Sequence, residues 1–233
     1  MYDERIATHY AAYRPPLHSI ILKKALSQFG KRANGLDLGC GAGHSAIALT
    51  DLCDRVLGLE PSESMLRNAR RHKNIYYINA TGEKTPFAAG VFDVVTLAGS
   101  LNYIEADLLI DELVRICSPD AKILIYDFDI QLQDFESCPG LEPGDGPPNY
   151  DHSTNLAGFS EVQEIAVVED QLSISASPQQ IAHLLLSDSG RYDSLRKKYK
   201  ASNLAESVRN DIKVIGKSAS IKANIFYSLY SLS

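Results

Sequence analysis

The sequence predicts an α/β domain built on a parallel sheet with helices on its faces, and three observations carry that expectation. Between Gly35 and Phe128, short runs rich in Val, Ile and Leu alternate with amphipathic stretches, the pattern of strands buried on both faces by crossover helices. The first run enters Leu36-Asp37-Leu38-Gly39-Cys40-Gly41-Ala42-Gly43, a glycine turn between a strand and a helix. The second run ends in Glu60, about 20 residues on, where a nucleotide-binding α/β fold carries an acid.

Taken in order, strands are expected over residues 35–39, 55–60, 75–80, 92–98 and 121–128, with helices near 44–53, 62–71 and 105–117. In the last helix Leu109, Leu113 and Ile116 share one face, as packing onto a sheet requires. Over 134–158 the composition changes, and Cys-Pro-Gly, Glu-Pro-Gly and Gly-Pro-Pro predict a loop long enough to act as a lid. Partial alternation predicts two more strands over 164–176 and 220–231. Between them Ser177-Pro178 starts a helix, with serine as cap and proline at the first helical position. The helical material over 178–215 is too long for a simple crossover and reads as a small cap, in which 191–200 is a solvated helix face. A single domain over 1–233 is expected, with an N-terminal segment 1–16, the loop 134–158 and the cap insertion 178–215.

With 233 residues and 45% hydrophobic content the chain can bury one sizeable core. A net charge of -6 removes the positive footprint of a duplex-binding protein, so nucleic acid is not expected as a partner. Cys40, Cys53, Cys117 and Cys138 are spaced too irregularly for a zinc site or a disulfide framework, and read as reduced thiols of a cytoplasmic protein. No histidine and carboxylate cluster has metal spacing, so no metal is expected. Residues 1–13 lack the order of a secretory signal, and no apolar run approaches the roughly 18 residues needed to span a bilayer. A monomer or homodimer that avoids membranes is the expectation.

Gly39, Gly41 and Gly43 let the backbone approach a ligand where a side chain would block it. The third glycine of the dinucleotide fingerprint is missing, and no GK[ST] triplet follows. Both departures count against nicotinamide and nucleoside triphosphate ligands. A carboxylate at Glu60 can accept hydrogen bonds from both hydroxyls of a ribose. A tight structural turn beside an unrelated surface glutamate is the bland alternative.

The turn, followed by Gly-Leu-Glu-Pro-Ser-Glu-Ser-Met-Leu, resembles the first two motifs of class I S-adenosylmethionine-dependent methyltransferases. Ala80-Thr81-Gly82-Glu83-Lys84-Thr85-Pro86-Phe87, then Phe92-Asp93-Val94-Val95, resembles the small-molecule branch. The resemblance covers residues 3 to about 128 and implies a Rossmann-like, seven-stranded, mostly parallel sheet whose last strand is antiparallel. It also implies S-adenosylmethionine held by Gly39, Cys40, Gly41, Gly43, Glu60, Pro61, Thr81, Gly82, Ala98 and Gly99, leaving S-adenosylhomocysteine as product. The family usually has an acid where Thr81 stands, so the Thr81 hydroxyl or backbone at Gly82 must serve the adenine amino group instead.

The segment Ala7-Thr8-His9-Tyr10-Ala11-Ala12-Tyr13-Arg14-Pro15-Pro16 resembles the N-terminal entry of trans-aconitate methyltransferase-like proteins. That resemblance implies a cover over the cofactor, with Tyr10 near the methyl group and Arg14 near the methionine carboxylate. An amphipathic helix that only packs on the domain edge is the structural alternative. Asn102, beyond the fourth strand, is expected to face the substrate, and with Tyr10 forms the expected catalytic pair. Tyr103 fits the core equally well. Of Asp127 and Asp129 at most one is expected in the pocket. His44, His152 and His183 read as surface or packing residues.

Methyl transfer from a sulfonium is a displacement in which the protein mainly aligns the reactants. A base is needed only when the acceptor must lose a proton. The expected function is methyl transfer to a small molecule, at a carboxylate or hydroxyl oxygen. A nicotinamide-dependent oxidoreductase and a non-catalytic S-adenosylmethionine-binding protein are the alternatives.

Overall fold

The computed structural model describes residues 6, 8–9, 12–136, 150–212 and 218–233. Seven strands, β1 (Arg32–Leu38), β2 (Cys53–Leu59), β3 (Ile75–Ile78), β4 (Phe92–Ala98), β5 (Cys117–Gln131), β6 (Val162–Ala176) and β7 (Ala219–Leu232), form a sheet of order β3-β2-β1-β4-β5-β7-β6. Pairs from β3 through β5 are parallel, with Leu36 level with Leu57 on one side and Val95 on the other. The Ser233 N–H donates to Glu161 O at 3.0 Å, and the Gln171 side chain meets Asn224. Residue numbers thus rise on β6 as they fall on β7, so the last strand runs antiparallel to its neighbour.

By packing, the chain divides into two compact units, one of Pro16–Phe128, Asp151–Asp170 and Ile225–Ser233 and one of Met1–Pro15, Asp129–Tyr150 and Gln171–Asn224. The first holds β1 to β4, most of β5 and the helices α1 (Leu17–Leu26), α2 (His44–Leu49), α3 (Glu63–Arg67) and α4 (Ala106–Ile116). Its core joins Leu36, Leu38, Phe92, Val95 and Leu97 of the strands to Leu109, Leu113 and Ile116 of α4, all buried. The helical face expected from those three residues is therefore the face that packs.

The second unit holds the helices α5 (Gln133–Glu136), α6 (Pro178–Leu186), α7 (Ser189–Tyr199) and α8 (Leu204–Asp211). Ile181, Leu185, Leu195 and Val208 are fully buried in its separate core. Ser177 caps α6 through a reciprocal box, its hydroxyl accepting from Gln180 N–H while the Gln180 side chain accepts from Ser177 N–H. On α7 only Tyr192 and Leu195 are buried, which leaves its basic stretch largely in solvent.

Several boundaries differ from expectation for local reasons. α2 stops at Leu49 because the Thr50 hydroxyl donates to Ile47 O at 2.7 Å, while the N–H groups of Thr50 to Leu52 bond three residues back. α3 stops at Arg67, where Arg67, Arg70, Arg71 and Lys73 would otherwise stack like charges along one helix. α1 was not expected; Leu17, Ile21, Leu22, Ala25 and Leu26 all bury one side of it. α5 opens the stretch expected to be irregular, most of which lies outside the described residues. Among the described residues no helix is long and apolar enough to cross a membrane.

Candidate functional site

The chain reverses direction across the sheet between β1 and β4, which places a crevice at their carboxyl ends. The crevice lies in the first unit. Asp37 anchors the crevice from below. Fully buried, it accepts from Ser45 Oγ of α2 at 2.5 Å and from Thr96 Oγ1 of β4 at 2.9 Å, tying three elements together. Burial pushes its carboxyl up to about 7 despite the hydroxyl donors that favour its charge.

The turn above it requires glycine. Gly39, Gly41 and Gly43 have φ of 70°, 52° and 79°, a left-handed region that side chains resist. Space matters as well at two of them. A Cβ on Gly39 would stand 2.4 Å from Ser100 Cβ, and one on Gly43 would stand 2.1 Å from the Tyr77 hydroxyl. Both Gly39 and Cys40 N–H groups donate to Leu59 O, at 2.8 and 3.0 Å, so the turn is bonded to the end of β2. Cys40 itself is buried, and burial holds its thiol well above the usual range.

Glu60 joins the turn directly. One carboxylate oxygen accepts from Gly41 N–H at 3.0 Å and the other from Ser62 N–H at 2.9 Å. Each oxygen retains a second lone pair, which suits a ribose diol. Pro61 follows, its carbonyl held with that of Glu60 by the Asn79 amide at 2.8 and 3.0 Å. Thr81 is exposed and bridges to Lys84, while Gly82 is buried with room for a Cβ only 3.3 Å from Ile104. Behind this loop Glu112 accepts from Thr85 N–H and hydroxyl and pairs with Arg115, which holds its carboxyl down at about 2. That network was not anticipated, because Thr85 and Glu112 lie far apart in sequence.

Across the crevice Ala98 pairs with Tyr126, and Gly99 N–H donates to Tyr126 O at 2.9 Å. Ser100 Oγ donates to Leu38 O at 2.6 Å and so fastens β4 beside Gly39. Asn102 is engaged at both ends of its amide: Nδ2 donates to Asp151 O at 3.0 Å, and Oδ1 accepts from Thr154 at 2.9 Å. Tyr103 is 75% exposed, so it is no core residue. His152, expected as a packing histidine, meets Asp127 at 2.8 Å and stacks on Phe226. Nothing in the sequence signalled that pair, whose members come from β5 and a distant loop. Tyr10 lies outside the described residues. Arg14 is half-buried and belongs to the second unit.

An adenosylmethionine fits the residues that are present: glycines that leave the turn bare and an acid at that turn with spare acceptor capacity. Comparisons with known proteins agree. Residues 36–125 match the model of a methyltransferase domain family. A demethylmenaquinone methyltransferase of Clavibacter sepedonicus is 34% identical over 98 residues, 40% of this chain and 40% of that protein. The chain spans about half the length, or less, of the curated relatives it matches. Among solved structures, a candidate type II methyltransferase from Anaeromyxobacter dehalogenans superposes with a TM-score of 0.66 at 18% identity, covering 93% of this chain and 97% of that one. The Haemonchus contortus phosphoethanolamine N-methyltransferase 2, solved with S-adenosylhomocysteine, gives a TM-score of 0.51 at 18% identity over 91% of this chain and 52% of that one. Motif, sheet order and matched span converge: residues 36–125 are similar to a methyltransferase domain, and the sheet has the Rossmann-like fold of the solved methyltransferases.

Proposed function

We propose that the chain transfers a methyl group from S-adenosylmethionine to a small-molecule acceptor, at a carboxylate or hydroxyl oxygen. The observation that carries this reading is the Glu60 carboxylate bonded to Gly41 N–H in a turn of three left-handed glycines. In this reading the Gly39, Cys40, Gly41 and Gly43 backbone borders the cofactor, Glu60 and Pro61 hold the ribose, and Thr81 with Gly82 meets the adenine. Ala98 and Gly99 border the methionine end. The cofactor supplies the electrophilic methyl carbon; the protein aligns the acceptor with it and excludes water.

Tyr10 and Arg14 keep their proposed roles at the methyl group and the methionine carboxylate, on the N-terminal resemblance alone. Asn102 is proposed at the acceptor side. A small acceptor is supported by the chain's net charge of -6, and two of the proteins compared above are named for small-molecule acceptors. Incubating the protein with methyl-labelled S-adenosylmethionine and, separately, a metabolite extract, a protein extract and transfer RNA tests this. Label should enter the metabolite fraction. Label chiefly in protein or RNA refutes the small-molecule reading, and no transfer to any fraction favours a protein that only binds the cofactor.

A further inference from the structure

Proceeding from β1 along the carboxyl edge of the sheet, the glycine turn abuts Ser100 at the end of β4, and Gly99 is bonded to Tyr126 of β5. The next residue on β5 is Asp127, so its backbone stands two strand spacings, about 10 Å, from the line of β1. It is 15% exposed; Oδ1 accepts from Phe128 N–H at 2.7 Å, and Oδ2 meets His152 Nδ1 at 2.8 Å. A carboxylate can only accept, so the proton lies on Nδ1 and Nε2 is the basic nitrogen of the ring. The Phe226 ring stacks on His152 at 5.8 Å between centroids and 14° between planes, which fixes the ring in the remaining direction.

The loop that carries His152 is itself fastened. Asn102 grips Asp151 O and Thr154 Oγ1, one on each side of the histidine, and Asp151 turns back on Ser153 N–H at 2.8 Å. His152, Asp127, Asn102 and Gly99 together line a cavity of about 10 Å³, the room of one water-sized group. A base oriented by a carboxylate, locked by an aromatic face and set beside Gly99 has the arrangement required of a general base.

We propose that His152, positioned by Asp127, takes the proton from a hydroxyl acceptor during methyl transfer, and that the acceptor is therefore a hydroxyl compound rather than a carboxylate. This rests on the methyl-transfer reading above. The acceptor O–H gives its proton to His152 Nε2, and its oxygen forms the O–CH3 bond with the pair that bond leaves behind. The sulfonium sulfur keeps the pair of the broken S–CH3 bond and becomes a neutral thioether. The resulting imidazolium is paired with Asp127 and releases its proton to water. A carboxylate acceptor, already ionised, would have no use for the dyad. Asp127, and by its grip on the loop Asn102, are positioning residues. Among the described residues, Tyr126 of β5, Glu169 of β6 and Tyr227 of β7 line a cavity with the ring, and Asp151 neighbours it on its own loop.

Three measurements on the full chain test this. Calorimetry with S-adenosylhomocysteine reads the cofactor site alone. His152→Gln and Asp127→Asn should bind it within about twofold of the parent; loss of binding in both variants would mark the pair as structural and overturn the proposal. A parent chain that does not bind it would overturn the methyl-transfer reading as well. Imidazole ¹⁵N spectra of the protein loaded with S-adenosylhomocysteine report the tautomer. His152 should carry its proton on Nδ1 in the parent and shift it to Nε2 in Asp127→Asn, whereas one tautomer in both removes Asp127 as the positioning group.

The third measurement is labelled-methyl transfer to a panel of phenols, alcohols and carboxylic acids. Transfer should occur at hydroxyls and fall about 100- to 10,000-fold in His152→Gln. The KM for the cofactor should be unchanged, and the residual rate should rise with pH as acceptors ionise unaided. Transfer confined to carboxylic acids, absence of transfer to any hydroxyl, or a rate insensitive to His152→Gln would each overturn the proposal.

Discussion

Replacing Glu60 by glutamine exchanges one carboxylate oxygen for an NH2 group at nearly constant volume. Both oxygens are in use, one on Gly41 N–H at 3.0 Å and one on Ser62 N–H at 2.9 Å. Whichever way the amide turns, a donor then faces a donor, and the negative charge that strengthens the remaining bonds is gone. One charge-assisted hydrogen bond is worth about 1.5 to 3 kcal/mol, so S-adenosylhomocysteine should bind about 10- to 150-fold more weakly. Glu60 is only half-buried, so water can replace the lost backbone partner. The fold should lose about 1 kcal/mol, a fall of about 2 to 4 °C in Tm for a chain of this size. Titration calorimetry with S-adenosylhomocysteine and a thermal scan measure the two effects separately. Glu63→Gln is the control, because Glu63 is exposed and, among the described residues, pairs with Arg67 alone, at 3.5 Å. A folded Glu60→Gln protein that binds the ligand as tightly as the parent would refute the ribose role of Glu60.

Gly39→Ala should cost about 2 to 5 kcal/mol in denaturant unfolding, the sum of a left-handed backbone and an overpacked contact with Ser100 at 2.4 Å. Gly90→Ala, with φ of 68° and nothing within 4 Å, should cost only the backbone part, about 1 to 2 kcal/mol; equal losses at the two sites would show that the Ser100 contact relaxes. In the second unit His9 and His183 meet at 3.0 Å between their Nδ1 atoms. Burial lowers both pKa values, and the neighbouring His183 lowers that of His9 further. Because the unfolded chain binds those protons near 6.5 and the folded one resists them, stability should be full above pH 6.5 and decline as pH falls below it. Unfolding midpoints across pH 5 to 8 check this; His183→Asn should flatten the acid limb, and unchanged slopes would exclude the pair as its source.

Local rules were enough for part of this molecule. Strand burial on both faces shows as apolar runs, so β1, β2 and β4 were legible from residues a few positions apart. The need for glycine at Gly39, Gly41 and Gly43 was legible too, because it arises largely from backbone conformation, and so was the helix start at Ser177-Pro178, written in two consecutive residues. Contacts that join distant segments were not legible. Asp37 reads as part of a motif, but its clamp on Ser45 and Thr96 appears only once α2 and β4 stand on either side of it. Asn102 read as a residue facing the substrate, but the grip of both ends of its amide on a loop some 50 positions away was not legible. His152 read as an isolated histidine because 25 residues separate it from Asp127. Periodicity reports which face of an element is apolar; which polar side chains meet at the carboxyl edge depends on strand order and crossover, and these are settled by packing over the whole sheet.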